Sequence, residues 1–335
     1  MTTKSKIGKM KSVLVFLLTS LALIVLFLWA VNTGSLKVTF NELWEGLFVA
    51  YNPDVATIYD LRFPRIFIAM LGGAATAVSG MLLQAVMKNP LADPGIIGVS
   101  SGASFAAMMV TAFFPSLYFF TPLIAFAGGV LAFFLVYSLS WKEGLSPIRI
   151  ILVGVAVNAM FTGLMSAFNA GTGSTFSGAA SIVNANITMK TWTDFQTLFA
   201  YTAVGLIFSF FVTGSCNLLA LEDKTARSLG VNVIRSRILI SLLAVLLAGI
   251  STAIMGPISF LGLIVPHIAR LLVGSNHKIL LPYTLLLGAV TLLLADTIGR
   301  TIAAPYEISA SLIMAVAGGP FFIFLLRRSK QNYGQ

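Results

Sequence analysis

Few residues in this chain could perform covalent chemistry. His267 and His277 are the only histidines, and no acidic cluster stands beside them, which argues against a zinc-type site built from several N, S or O ligands. No G-x-x-x-x-G-K-[ST] stretch occurs. Gly8-Lys9 lacks the earlier glycine, so the chain does not itself cradle ATP phosphates. The single cysteine, Cys216, lies inside an apolar run, which excludes a disulfide framework and a thiolate cluster. Catalytic residues, metal ligands and a bound cofactor are therefore not expected in this chain.

The chemistry that remains is ionic. Residues 221–237, "LEDKTARSLGVNVIRSR", carry six of the 32 charged residues on one short segment between two apolar runs. Within it Asp223 suits a helix N-cap, Ala226 and Leu229 fall on one side of a short helix, and Gly230 supplies a stop. A short capped helix with one apolar edge suits docking into a partner's groove. A solvated loop whose bases only set topology is the competing reading. Elsewhere Arg62, Arg65 and Arg300 interrupt apolar surroundings. Arginine's planar fork can grip a carboxylate with two hydrogen bonds. Local pairing competes here too, since Asp296 stands four residues before Arg300, and Asp60 two before Arg62 and five before Arg65. Arg62 and Arg65 could also simply snorkel at an interface.

The elements that must hold these charges are membrane helices. Hydrophobic residues make up 58% of the 335 and charged ones 10%, and the mean hydropathy is +0.95. Apolar runs of this length mark a chain whose solvent is lipid. The pattern predicts ten spans, at 13–31, 64–87, 95–114, 121–140, 148–169, 197–219, 238–256, 258–273, 281–299 and 309–326. They form one transmembrane domain over 1–335, with tails at 1–12 and 327–335 and a polar loop at 220–237. The first span follows Lys4, Lys6, Lys9 and Lys11 and exceeds a signal-peptide core, so it reads as an uncleaved anchor. With a cytoplasmic N-terminus, 16 of the 21 bases fall on the inner side and 5 on the outer, which places both termini in the cytoplasm. The net charge of +10 is thus a topology signal, and nucleic acid is not an expected partner. Trp29 and Trp192 fall near the outer boundary, Trp141 near the inner one, and 38–48 reads as an amphipathic helix on the outer surface.

Two stretches break membrane rules. In 61–103, Gly72, Gly73, Ala77 and Gly80 let helix backbones approach closely, as do Gly98 and Gly102, and Pro90 and Pro94 mark an inner turn. In 255–274, Gly256-Pro257 breaks one helix and Pro266 bends the next. Such breaks survive where protein or a water-filled cavity satisfies the freed backbone groups, so a pathway is expected nearby.

The stretches "LRFPR", "NPLADPGIIGVSSGA", "SPIRIILVGVA", "TARSLGVNV", "GPISFLGLIVPHIARLLVG" and "AGGPFFIFLLRR", in this order over almost the whole chain, resemble the permease subunits of the ATP-driven importers for iron-siderophores, haem and cobalamin. The resemblance implies an all-α subunit of about ten spans. It also implies a second permease, itself or a paralogue, two cytoplasmic ATPase subunits that use the ATP, and an extracytoplasmic substrate-binding protein. Localisation would be the bacterial cytoplasmic membrane.

Residue by residue, "EDKTARSLG" looks like the family's ATPase-coupling element, carried by Glu222, Asp223, Lys224, Arg227, Leu229 and Gly230. Arg62, Arg65 and Arg300 match arginines that pair with glutamates of the binding protein. The path would be lined by the fifth span and its neighbours, including Asn158, Met160 and Met165, with Ser146 and Pro147 near a cytoplasmic gate. Methionines and asparagines on one helix face also suit ordinary packing. His267 and Arg270 look like a supporting cytoplasmic turn. Where many relatives carry Trp and a Gly-Ser pair, residues 181–195 read "SIVNANITMKTWTDF", which weakens any inference about cargo. Family frequency makes a ferric siderophore, the hydroxamate type among them, the first expectation, with haem and cobalamin behind it.

A different class, an ion-coupled secondary transporter, would need ionisable relays near the bilayer midplane. Asp93, Asp296 and Glu307 fall at or near span ends, so the interior offers no obvious relay.

Overall fold

The structure is a computed structural model that describes residues 3–34, 37–140, 147–172, 187–304 and 306–330. Among the described residues all regular elements are helical. They run α1 (Thr3–Asn32), α2 (Phe40–Phe48), α3 (Pro53–Met87), α4 (Val99–Phe113), a 3₁₀ turn at Pro115–Phe120, α5 (Thr121–Ser140), α6 (Pro147–Thr172), α7 (Trp192–Leu219), α8 (Asp223–Ser228), α9 (Val233–Met255), α10 (Leu261–Val273), α11 (His277–Ile302) and α12 (Ala310–Lys330). Among the described residues seven stretches are long and apolar enough to cross a bilayer. Three more apolar helices are shorter: α4, α10 and the Ala310–Ile323 part of α12.

α3 is the central post, packed by α7, α9, α10 and α11. It begins 11 residues before the expected start at 64, because Pro64 sits inside the helix without ending it. The true start signal is Asn52-Pro53. The Asn52 side chain accepts the N–H of Asp54 at 2.9 Å and of Val55 at 3.4 Å, and proline occupies the first turn, where its missing donor costs nothing. Arg62 and Arg65 therefore lie three residues apart on one side of a helix.

Close backbone crossings hold the other helices to this post. A Cβ on Gly73 would stand 2.5 Å from the Gly288 carbonyl oxygen of α11, and one on Gly80 would stand 2.0 Å from that of Gly262 in α10. Gly102 and Gly128 join α4 to α5 in the same way. In lipid, where no hydrophobic force drives helix against helix, such contact supplies the packing energy instead. α1 lies at the periphery and leaves Leu14, Leu17, Leu18, Leu21 and Ile24 exposed, as a lipid-facing helix should. The sole cysteine, Cys216, is wholly buried in α7.

The expected spans at 95–114 and 258–273 are truncated at their starts. α4 begins at Val99 after the turn of 88–98, and α10 begins at Leu261 after a non-helical stretch at 256–260. Both breaks are buried among helices, where neighbouring protein can satisfy open backbone groups.

Candidate functional site

Within the polar segment of 221–237, Asp223–Ser228 folds as the short helix α8 between α7 and α9, and residues 233–237 open α9. Its N-cap position is Glu222, not the expected Asp223, and no side chain caps it. Asp223 instead enters the first turn and turns inward. Its Oδ1 receives Lys88 Nζ at 2.9 Å and Arg237 Nη2 at 3.0 Å. The Lys88 hydrogen bond, ahead of the charges of Arg237 and Lys88, holds this carboxyl below its ordinary 3.8 although partial burial opposes it. Ala226 is buried against the bundle, whereas Leu229, in the turn after the helix, is 59% exposed. The two do not form the expected common edge, because the helix ends at Ser228 and Leu229 escapes its register. Gly230 is the expected stop, with φ of +83°. Glu222, Lys224, Arg227, Leu229 and Gly230 all face solvent. The result is a turn anchored through Asp223 and Ala226 whose outer surface mixes both charges with an exposed leucine.

Lys88 ends α3, 23 residues after Arg65. At 1.5 Å per residue that separation is roughly 34 Å, about the thickness of a bilayer's hydrocarbon core. The arginines thus mark the other end of the bundle.

There Arg65 is buried, not offered outward. Its Nε donates to both oxygens of Asp296 at 3.1 Å, Nη2 donates to Oδ1 at 2.8 Å, and Nη1 donates to Glu307 Oε2 at 2.9 Å. Arg300 is also buried, with Nε 3.2 Å from Asp296 Oδ2 and Nη1 donating to the Ala30 carbonyl at 3.3 Å. The local i, i+4 pairing weighed from the sequence is therefore present. Asp296 is fully buried and joins both guanidinium groups. Glu307 also accepts from Thr188 Oγ1 at 2.9 Å, so it ties the segment before α7 to this cluster. Burial disfavours charge on Glu307, but the Arg65 hydrogen bond and charge, with Thr188 and Arg300, outweigh it and keep the carboxyl below 4.5. Arg62 differs, being half-buried and ion-paired with no carboxylate among the described residues; its Nη1 donates to the Val31 carbonyl at 2.6 Å.

The expected path residues scatter. Ser146 lies outside the described residues, and Pro147 opens α6. Asn158 is half-buried and Met160 is 46% exposed, while Met165 is buried in a cluster with Met108 and Ala112. α6 packs on α4 and α5 and leaves Leu152, Val155, Met160 and Leu164 uncovered. His267 and Arg270 sit in α10 and not in a turn. The His267 ring meets Phe321 edge-on, and Arg270 donates to Gln84 of α3.

Residues 22–328 match the FecCD transport family. The chain belongs to that family. It is 41% identical over 324 residues to the haem-iron transport system permease protein IsdF of Staphylococcus aureus strain Newman, covering 97% of this chain and 98% of that one. Among solved structures it resembles an inward-facing metal-chelate type ABC transporter, with 29% identity, a TM-score of 0.78, and coverage of 94% of this chain and 99% of that chain. A fold likeness extends to PsaBC from Streptococcus pneumoniae, at 15% identity, TM-score 0.56, covering 85% and 95%. The protein is a multi-pass membrane permease of a bacterial ABC importer for iron chelates.

For this permease, sequence reasoning missed two residues that the geometry brings forward, Lys88 and Arg237, and one pairing, that of Asp296 with Arg65. Lys88 and Arg237 hold Asp223, and Asp296 neutralises two arginines at once. Asp296 with Arg300 was readable from helical spacing. Arg65 with Asp296, 231 positions apart, had no local signal.

Proposed function

We propose that this permease moves an iron chelate inward through a path between two permease subunits, with both termini in the cytoplasm. Two cytoplasmic ATPase subunits dock on 222–230 and supply the work, and an extracytoplasmic binding protein delivers cargo at the arginine end. One observation carries the coupling assignment. α8 is pinned from behind through Asp223 and Ala226 while Glu222, Lys224, Arg227 and Leu229 stand free, the arrangement a rigid docking knob requires. At the other end Arg62 is the arginine best placed to meet a partner's carboxylate. Arg65 and Arg300 are already neutralised inside the chain, and for them to bind a partner Asp296 or Glu307 must first let go.

The name and identity of the Staphylococcus aureus relative favour haem as cargo, ahead of the ferric hydroxamate first expected. A proton- or sodium-driven mechanism finds little support. Asp296, one of the three carboxylates weighed as relays, is clamped by two guanidinium groups.

The test is reconstitution with the partner ATPase and binding protein, with haem and a ferric hydroxamate offered in separate arms. Uptake should require ATP and be blocked by vanadate. Uptake that continues without ATP and collapses with an uncoupler would refute the proposal. Replacing Leu229 and Arg227 together should leave the fold intact and separate ATP turnover from uptake.

A further inference from the structure

Lys88 caps the C-terminus of α3 with a left-handed backbone, φ 49° and ψ 34°. Helix ends of this kind favour glycine, because a Cβ there crowds the neighbouring carbonyl. A lysine held in that conformation points to a use for its side chain. That use is visible. Nζ donates to the Leu221 carbonyl at 2.5 Å and to Asp223 Oδ1 at 2.9 Å, so the amine grips the start of α8 at two points. The pair is about one-third exposed on each side, 34% and 39%, where ion pairs add little stability. Its contribution is therefore positional.

Behind Lys88 the polar contacts continue into the bundle. Gln84, one turn earlier on α3, donates Nε2 to the Ala92 carbonyl at 3.2 Å and to the Gly262 carbonyl at 3.1 Å. Asp93 is wholly buried. Its Oδ1 accepts the N–H of Gly95 at 2.8 Å and of Ile96 at 3.1 Å, while Oδ2 lies against Gly262 in the first turn of α10. With Gly80 touching Gly262 backbone to backbone, the end of α3, the turn of 88–98 and the start of α10 form one body. That body rests on α9, where Ser79 Oγ donates to the Ala244 carbonyl at 2.6 Å, and it continues from α9 through the non-helical stretch 256–260.

We propose that Lys88 is the positioning residue that hands a displacement of α8 to the end of α3 and, through the turn of 88–98, to the start of α10. The inference rests on the reading of 222–230 as the ATPase-docking element. It names a contiguous physical route for the coupling rather than a correlation.

The experiment uses the complete importer in proteoliposomes, with haem and a ferric hydroxamate as the probes and Ser228→Cys, exposed at the end of α8, as a crosslinking handle toward the ATPase. Lys88→Gly removes the amine and also relieves the left-handed backbone, so a merely structural lysine would make this variant neutral or more stable. The expected result is retained crosslinking and ATP hydrolysis, with cargo moved per ATP reduced at least about fivefold, the lower edge of ordinary coupling between sites. Lys88→Met, which keeps the stem without the charge, should show the same loss, and Lys88→Arg should recover most of it. Normal stoichiometry in Lys88→Gly or Lys88→Met, with the crosslink present, overturns this inference alone. Absence of the crosslink in the otherwise native, transporting importer overturns the docking reading and this inference with it.

Discussion

Asp296 offers the sharpest test of how the arginine end is held. Its carboxylate is fully buried, accepts three hydrogen bonds from Arg65, and lies 3.2 Å from Arg300 Nε. Asp296→Asn keeps the shape and one acceptor but removes the charge, leaving two buried guanidinium groups with only the half-exposed Glu307 as counter-charge. Removing one partner of a buried ion pair costs about 3–5 kcal/mol, chiefly as an uncompensated charge. The retained acceptor places this variant near about 3 kcal/mol. Denaturant unfolding of the detergent-solubilised permease, followed by tryptophan fluorescence, reads the loss directly. A companion variant sharpens the logic. Replacing the trio by apolar residues, Arg65→Met, Asp296→Leu and Arg300→Met together, should return to within about 1 kcal/mol of the native chain, because desolvating all three charges largely offsets their attraction. If Asp296→Asn lost less than about 1 kcal/mol, or the apolar trio were the less stable of the two, the account of a mutually neutralising cluster would be wrong.

Three further outcomes are expected. Gly80→Ala should destabilise by at least about 3 kcal/mol, the upper range for overpacking, because its Cβ meets backbone of Gly262 at 2.0 Å; Gly214→Ala in α7, with nothing within 4 Å, should be neutral or stabilising, and equal effects would refute the packing argument. Asp223 has a folded value depressed below 3.8, so its hold on Lys88 should be complete at neutral pH and fade only as pH falls through that lower folded value; accessibility of a probe at α8 should stay flat from pH 7 to pH 5, and release within that window would contradict the assignment. Arg62→Glu should weaken association with the binding protein in a salt-dependent way, as charges that reach solvent do, whereas an affinity unchanged at low salt would remove Arg62 from docking.

The helices were legible because lipid demands long apolar runs, and nearly every expected run is a helix. Their starts were not. Pro64 looked like a boundary, yet proline is tolerated where α3 is packed by protein, while the Asn52-Pro53 start lies in a polar stretch that hydropathy ignores. Around α8 the sequence pointed to a short helix and its glycine stop, but a one-residue shift in the cap moved Asp223 from a capping role to an ion pair. The resemblance pointed to the arginines; only the fold shows which are ion-paired within the chain. Arg65 finds its carboxylates at Asp296 and Glu307, on elements too distant in sequence for any spacing rule to connect.

The burial of Cys216 has a practical consequence. As the chain's sole thiol, shut inside α7, it should be silent toward maleimide reagents while the bundle stays folded. A spectroscopic label attached through an introduced cysteine would then report alone, without first stripping the native one. Pairs of such labels on α8 and α10 could follow the inward and outward excursions of the bundle by electron–electron distance.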